Sequence, residues 1–448
     1  MKNTVLTSEL DEKIQKAQTD LEKARANTDT GQIISSLRTL GQLYLDGGDA
    51  PQALTHFNEA LKLVAETEDH VVHAQVLGFR GIALKLIGNF SLALQAFRKS
   101  NAVANKAGHA SLTCDSFIQI ALLRSEMGDV TDAISNLSRA MQIATEQKDQ
   151  ARRMRICGLF GDSFYKLEAF DKAVEYYVLG SEIARGLEKR AAEVSFLTKV
   201  ANIFLLEREI ESAIGQYENA LKIASAIEDR NAEINILGGL FRAHALDGNF
   251  RLARVYGEQV IHLAREAKHV EAEVSNIVAV ASFLIENGKA SQAIPYLESG
   301  LQIADEQKNP DLKTDILTRL GLAWYQDQKN ELALENFNHA LETARSVNDE
   351  ASQALVLGYI ASVYSGIEQY ENSIDAALEA VSLAENLEEF RLAVEQQILL
   401  AFNYRDLNRV EEAVQYCSRA QDSFKTLGDQ EMFERAQMLL EELKMADA

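Results

Sequence analysis

The sequence predicts an all-α, right-handed solenoid of antiparallel helix pairs, and three observations carry that prediction. The first is a period. Ala53 is followed seven residues on by Ala60, and the pair recurs in unbroken steps of forty as far as Ala413 and Ala420. Where one member changes it becomes Ser, Gly or Val, as at Ser100, Gly180 and Val260. The second is composition: only three prolines in 448 residues, with Ala, Leu, Glu, Lys, Gln and Arg dominant, favours helix throughout. The third is punctuation that returns at two fixed places in the period. Gly48-Asp49, Gly88-Asn89, Gly128-Asp129, Gly248-Asn249 and Gly288-Lys289 break the helical spacing in mid-period. Asp29, Asp69, Asp149, Asp229, Asn309, Asp349 and Asp429 break it between periods. Glycine suits a left-handed helix end, and Asp or Asn caps the helix that follows.

In chain order, residues 8–27 read as one polar helix, within an N-terminal capping segment 1–29. Ten forty-residue units follow: 30–69, 70–109, 110–149, 150–189, 190–229, 230–269, 270–309, 310–349, 350–389 and 390–429. Residues 430–448 hold a closing helix, because a repeat array needs ends with a polar outer face to stay soluble. Each unit is two helices of some sixteen to eighteen residues, each about 25 Å long. Seven residues is two turns, so Ala53 and Ala60 share one stripe of the second helix and admit a close neighbour. Gly41, Gly81, Gly161 and Gly321 do the complementary job on the first helix. Phe241 and Val260 interrupt both stripes in one unit, whose packing must differ. Pro310 follows a capping Asn309, where a first-turn proline is tolerated, while Pro295 falls inside a helix.

A net charge of −22 argues against nucleic acid and anionic membrane as partners. The N-terminus has no apolar signal core, and no apolar run approaches a membrane span, so a cytoplasmic protein is expected. Cys114, Cys157 and Cys417 sit where other units carry apolar residues and read as buried, reduced thiols. His70, His73 and His109 lack a convergent further ligand, so no metal site is expected. There is no phosphate-binding glycine loop and no nucleophile elbow, and the abundant carboxylates read as solvated helix faces. No enzyme and no cofactor are predicted.

Two stretches, "LGQLYLDGGDAPQALTHFNEAL" (40–61) and "LGLAWYQDQKNELALENFNHAL" (320–341), resemble tetratricopeptide repeats in their L-G-x-x-Y, A-x-x-x-F and following alanine. The usual period is 34, and the longer step is similar to that of Pins-type spindle adaptors, kinesin light chains and bacterial peptide-sensing regulators. The resemblance implies a non-catalytic scaffold or adaptor that holds a protein or peptide segment in a groove lined by the first helices. Two alternatives stand beside it: a self-assembling structural array, and a peptide-sensing regulator. In Pins-type adaptors an asparagine after the L-G pair holds ligand backbone, and here Asn202 alone falls directly in that column. Other groove candidates are Arg155, Lys199, Arg242, Arg319, Tyr325, Tyr359 and Arg405. Arg155, Lys199 and Arg242 come from three neighbouring first helices, so an acidic segment is expected across units 150–269. Mid-helix Gly78, Gly158, Gly238 and Gly358 mark close approach, either of a neighbouring helix or of bound peptide.

Overall fold

The computed structural model describes residues 2–446, which form 22 helices and, among the described residues, no strand. They run α1 (Lys2–Ala26), α2 (Thr30–Asp46), α3 (Ala50–Val64), α4 (His70–Leu86), α5 (Phe90–Lys106), α6 (Ala110–Glu126), α7 (Val130–Glu146), α8 (Gln150–Lys166), α9 (Phe170–Gly186), α10 (Arg190–Leu206) and α11 (Ile210–Ala226). There follow α12 (Arg230–Leu246), α13 (Phe250–Glu266), α14 (Val270–Glu286), α15 (Ala290–Gln307), α16 (Pro310–Gln326), α17 (Asn330–Ser346), α18 (Glu350–Gly366), α19 (Tyr370–Asn386), α20 (Phe390–Asp406), α21 (Val410–Leu427) and α22 (Gln430–Ala446). From Thr30 to Gln430 the helix starts advance by twenty without a slip. The forty-residue sequence period is therefore two helix-and-turn steps. The even-numbered helices from α2 to α20 are the first helices of the repeats, and the odd-numbered ones from α3 to α21 the second. The opening helix starts at Lys2, ahead of the 8–27 stretch expected for it.

The chain divides into two compact units, Met1–Ile236 and Leu237–Ala448, and the division falls inside α12. From α1 to α11 and from α13 to α22 each helix packs on its chain neighbours, and α2, α4, α6 and α8 in one unit and α14, α16, α18 and α20 in the other also touch the next first helix in their series. This is the layering of a helical-repeat solenoid.

The turns follow from local chemistry. Asp29, Asp69, Asp149, Asp229, Asn309, Asp349 and Asp429 each accept a hydrogen bond from the backbone N–H three residues on. Asp49, Asn89, Asp129 and Asn249 do the same at the mid-repeat turns. His109 caps α6 by accepting from the Leu112 N–H through Nδ1 at 3.3 Å. The residue just before the cap is left-handed at nearly every turn, and non-glycine residues hold that conformation at thirteen positions, including Lys148, Glu168 and Glu188. The cause is a closing pair of bonds, such as Asp149 N–H to Ala144 O at 2.9 Å and Lys148 N–H to Thr145 O at 3.0 Å. A Cβ there costs about 1–2 kcal/mol. Lys148→Gly is therefore expected to raise the melting temperature, with a gain of up to about 1 kcal/mol after glycine's extra chain entropy is set against it. Calorimetry checks this, and Gln142→Gly, inside α7, should lower the melting temperature instead.

The packing stripes interlock as ring against missing side chain. A Cβ added at Gly81 or Gly321 would stand 2.5 Å from the ring of Phe97 or Phe337. Gly41 faces Phe57 and Gly161 faces Tyr177 in the same way. In the repeat that carries Phe241 the two roles trade places. The ring sits on the first helix, and Gly257 on α13 leaves the room, with a Cβ there 3.3 Å from Phe241 and 2.6 Å from Val280. Ala53, Ala60, Ala213 and Ala220 are fully buried along the second-helix stripe. Mid-helix Gly158, Gly238 and Gly358 face Phe196, Asn276 and Gln396 from the next first helix, and Gly78 faces Ser100. Helix packing is tight at Gly158, Gly238 and Gly358, where a Cβ would stand 3.3, 3.3 and 2.8 Å from those side chains, whereas at Gly78 the contact is an ordinary one at 3.5 Å. Cys114, Cys157 and Cys417 are buried and free of disulfides, and burial pushes the Cys114 and Cys157 thiols up to about 11.

Candidate peptide-binding surface

Side-chain bonds lace each first helix to the next along one face. In unit 1 Arg38 donates to Gln75 at 2.6 Å and Lys85 pairs with Glu126 at 2.5 Å. Arg152 forks onto both Asp115 oxygens at 2.9 and 3.0 Å, and Lys199 Nζ meets Asp162 Oδ1 at 2.5 Å. In unit 2 Arg319 donates to Ser282 at 2.5 Å, and Ser365 donates to Asn403 at 2.6 Å. These bonds fix the spacing of the first helices, so the grooves between them have a set width.

The sequence-derived candidates all lie on first helices, but most are engaged within the protein. Lys199 is held by Asp162 and also lies over the Tyr177 ring, 5.0 Å from its centroid. The Tyr177 hydroxyl donates to Asp162 at 2.6 Å. Asn202, one repeat beyond Asp162, accepts from Tyr217 at 2.5 Å, so its carbonyl oxygen props a second helix. Arg155 is exposed on α8, and among the described residues no carboxylate pairs with it. Arg242 is exposed on the part of α12 that belongs to unit 2. Arg319 is clamped onto Asp315, and Arg405 pairs with Asp406 while covering the Phe402 ring at 5.0 Å. Tyr359 stacks on Phe337, with ring centroids 5.5 Å apart, and burial pushes its hydroxyl pKa up. Tyr325 reaches over the end of α18 toward Gly366.

Between α6 and α8 the face opens into a cleft of about 440 Å³. Leu122 and Leu159 make its apolar floor, and Tyr165 stands beside it, 46% exposed. Ser125, Asp162 and Lys166 form a polar rim, with Lys166 Nζ donating to Ser125 at 2.9 Å. Arg155 lies one turn before Leu159 on the same face of α8. The arrangement suits an apolar side chain seated between two helices with its backbone near polar groups. Sequence reasoning missed Leu159 and Tyr165. The available signal was apolar character on the face opposite the alanine contacts.

Among the described residues no three His, Cys, Asp or Glu side chains converge on a metal-sized site, and no helix is long and apolar enough to cross a membrane. The carboxylates are not all solvated, contrary to the expectation from the sequence. Glu193, Glu233 and Glu273, one per repeat, are buried at the starts of α10, α12 and α14. Glu193 is held by Arg185 and Arg190 at 2.7 and 2.9 Å, and these bonds bring its carboxyl pKa below the usual value despite the burial.

Residues 32–106 match the family model described as tetratricopeptide repeat. No curated protein matches the chain. Among solved structures, the chain is similar to a signal transduction ATPase with numerous domains from Pyrococcus horikoshii that carries a tetratricopeptide repeat sensor. The identity is 13% and the TM-score 0.53, over 94% of this chain and 69% of that one. Aspartyl phosphate phosphatase F from Bacillus subtilis is 14% identical, with a TM-score of 0.46 over 78% of this chain and 93% of that one. The apo form of the quorum sensor NprR from B. thuringiensis is 16% identical, with a TM-score of 0.43 over 88% and 100%. Residues 32–106 thus match tetratricopeptide repeats, and the same helix-pair step continues along the rest of the described residues.

Proposed function

We propose that the protein is a non-catalytic interaction scaffold that holds a peptide or protein segment against its first-helix face. The observation that carries this reading is the cleft between α6 and α8, whose apolar floor is open to solvent on a face otherwise laced by polar bonds. Exposed aromatic and aliphatic side chains ringed by polar groups are the usual composition of a protein-binding patch. Lys199 already answers Asp162, so a continuous cationic trio with Arg155 is not what would select the partner. Arg155 is the exposed cation nearest in sequence to the cleft floor, and it suits an acidic residue beside the anchored apolar one.

The test is capture of partner from native cell extract by the wild-type chain and by a Tyr165→Ala, Arg155→Glu variant. Both positions are exposed, so the melting temperature should hold while binding weakens at least tenfold, about 1.4 kcal/mol. Undiminished capture would sink the proposal.

A second reading, self-association, rests on a different observation. Leu86, Ile87, Met127, Leu167 and Leu206 stand exposed at the first-to-second helix turns of unit 1. Light scattering at several concentrations separates the readings, since only self-association makes the mass rise with concentration.

A further inference from the structure

The second helices carry a ladder of their own. The residue at the last turn of one second helix reaches the residue 34 positions on, in the middle of the next. Arg25 pairs with Glu59 and Arg345 with Glu379 (2.6 Å), and Glu385 pairs with Arg419 at 2.6 Å in the reverse sense. Arg265 shows that one guanidinium can serve two partners: its Nε goes to buried Glu273 at 2.6 Å and its Nη2 to Ser299 at 3.1 Å. Each bond is a strut across the groove between consecutive second helices, α1 standing in that position ahead of α3.

The strut is not present at every step: Ala65 and Lys99, or Thr145 and Leu179, cannot form it, and between α9 and α11 it is also missing. Arg185 makes the inward half of the Arg265 pattern, donating through Nε to Glu193 at 2.7 Å. Its outward partner would be residue 219, which is Asn, and no hydrogen bond links the two. The groove there is open, a cleft of about 840 Å³. Arg185 and Arg190 line it with side chains 59% and 50% exposed, above a Glu193 that is 1% exposed and already satisfied. Lys222 lines the opposite wall and pairs with no carboxylate among the described residues. Val178, Leu197, Ile223 and Ile227 supply apolar wall. Glu182 also lines the cleft, so its three cations face two carboxylates, one of them the satisfied Glu193, and the lining keeps a net positive charge on a chain of net charge −22.

We propose that this second-helix cleft is a binding site for an acidic peptide segment, whose carboxylate takes the place that Glu59 and Glu379 occupy opposite Arg25 and Arg345 in other repeats. The protein thus carries its own template for the ligand. A guanidinium at the end of one second helix is answered by a carboxylate from the side of the next, and here the carboxylate must come from outside. Arg190 and Lys222 add two further donors, so two adjacent carboxylates suit the site better than one. The apolar wall asks for Leu or Ile beside them, which a bare small anion does not offer. The site lies on the opposite side chains from the first-helix groove and does not depend on the reading given to that groove.

The probe is a fluorescein-labelled Gly-Leu-Glu-Glu-Leu-Gly peptide, followed by anisotropy and by methyl NMR, with its Gln-Gln isostere as the comparison. The Glu peptide should bind at least tenfold tighter than the isostere, weaken as salt is raised, and shift the methyls of Ile223 and Ile227. Asn219→Glu puts the missing strut carboxylate in the chain itself. That variant should fold with an unchanged or higher melting temperature and lose at least tenfold in peptide affinity. Equal binding of the two peptides, shifts at Leu122 and Leu159 instead, or full affinity in Asn219→Glu would each overturn the proposal. So would absence of any binding by the Glu peptide to the wild-type chain.

Discussion

Gly321→Phe, made alone, is expected to destabilise its repeat by about 3 kcal/mol or more, because overpacking a close helix contact forces side chains off rotamer and shifts backbone. A Cβ at Gly321 would already stand 2.5 Å from the Phe337 ring, and a second ring has nowhere to go. Phe337→Gly alone should cost about 3–5 kcal/mol through the cavity it opens, since Phe337 is fully buried. The two changes together transpose the pair into the arrangement the chain already uses at Phe241 and Gly257. The double variant should therefore lose clearly less than the sum, with a favourable coupling of at least about 1 kcal/mol. Strictly additive losses would show that the Phe241 repeat is not an interchangeable solution. Hydrogen exchange should place the loosening in the substituted repeat and its immediate neighbours, because a solenoid couples mainly to nearest neighbours.

How far the sequence revealed the molecule depended on whether a role demands a residue type. Small residues at a forty-residue step can only mean close helix contact, and Asp or Asn at fixed turns can only be caps for a helix start, so both were legible. The left-handed turn residues were legible only where they are glycine. At Lys148, Glu168 and Arg208 the hydrogen bonds of the turn impose the same conformation on residues with no sequence preference for it. Phe241 announced an exception in its repeat, but Gly257, which makes the exception work, looked like any other glycine. The candidate site was less legible. Lys199 read as a free cation because Asp162, which holds it, lies 37 residues back on another helix. Leu159 and Tyr165 went unnoticed, because an apolar or aromatic residue on a helix usually serves packing. The buried Glu193 was hidden among many solvated carboxylates, although Glu193, Glu233 and Glu273 repeat at forty-residue spacing, and Arg185 and Arg265 each stand eight residues before one of them.

That buried carboxylate is the basis of the other large effect expected. Replacing Arg185 and Arg190 together by Ala leaves Glu193, 1% exposed, with neither of its cationic partners. A buried charge stripped of its partner costs about 3–5 kcal/mol, far more than the exposed ion pairs elsewhere on this chain. The pH dependence distinguishes this cause from mere lost packing. In the wild-type chain the two guanidiniums hold the Glu193 carboxyl below the ordinary glutamate value of 4.5. Its contribution to stability is therefore present above that value and is lost as pH falls through the lower folded-state value. In the double variant burial acts unopposed and pushes the carboxyl up, so its folded state takes up a proton more readily than its unfolded state. The stability gap between wild type and variant should thus be widest near neutral pH and narrow as pH falls toward 4. Adding Glu193→Leu to the double variant removes the stranded charge, fills the site with apolar atoms and should recover most of the loss at pH 7. A gap that stays constant with pH, or a triple variant no better than the double, would mean that the two arginines act by packing their stems and not by holding the buried carboxylate.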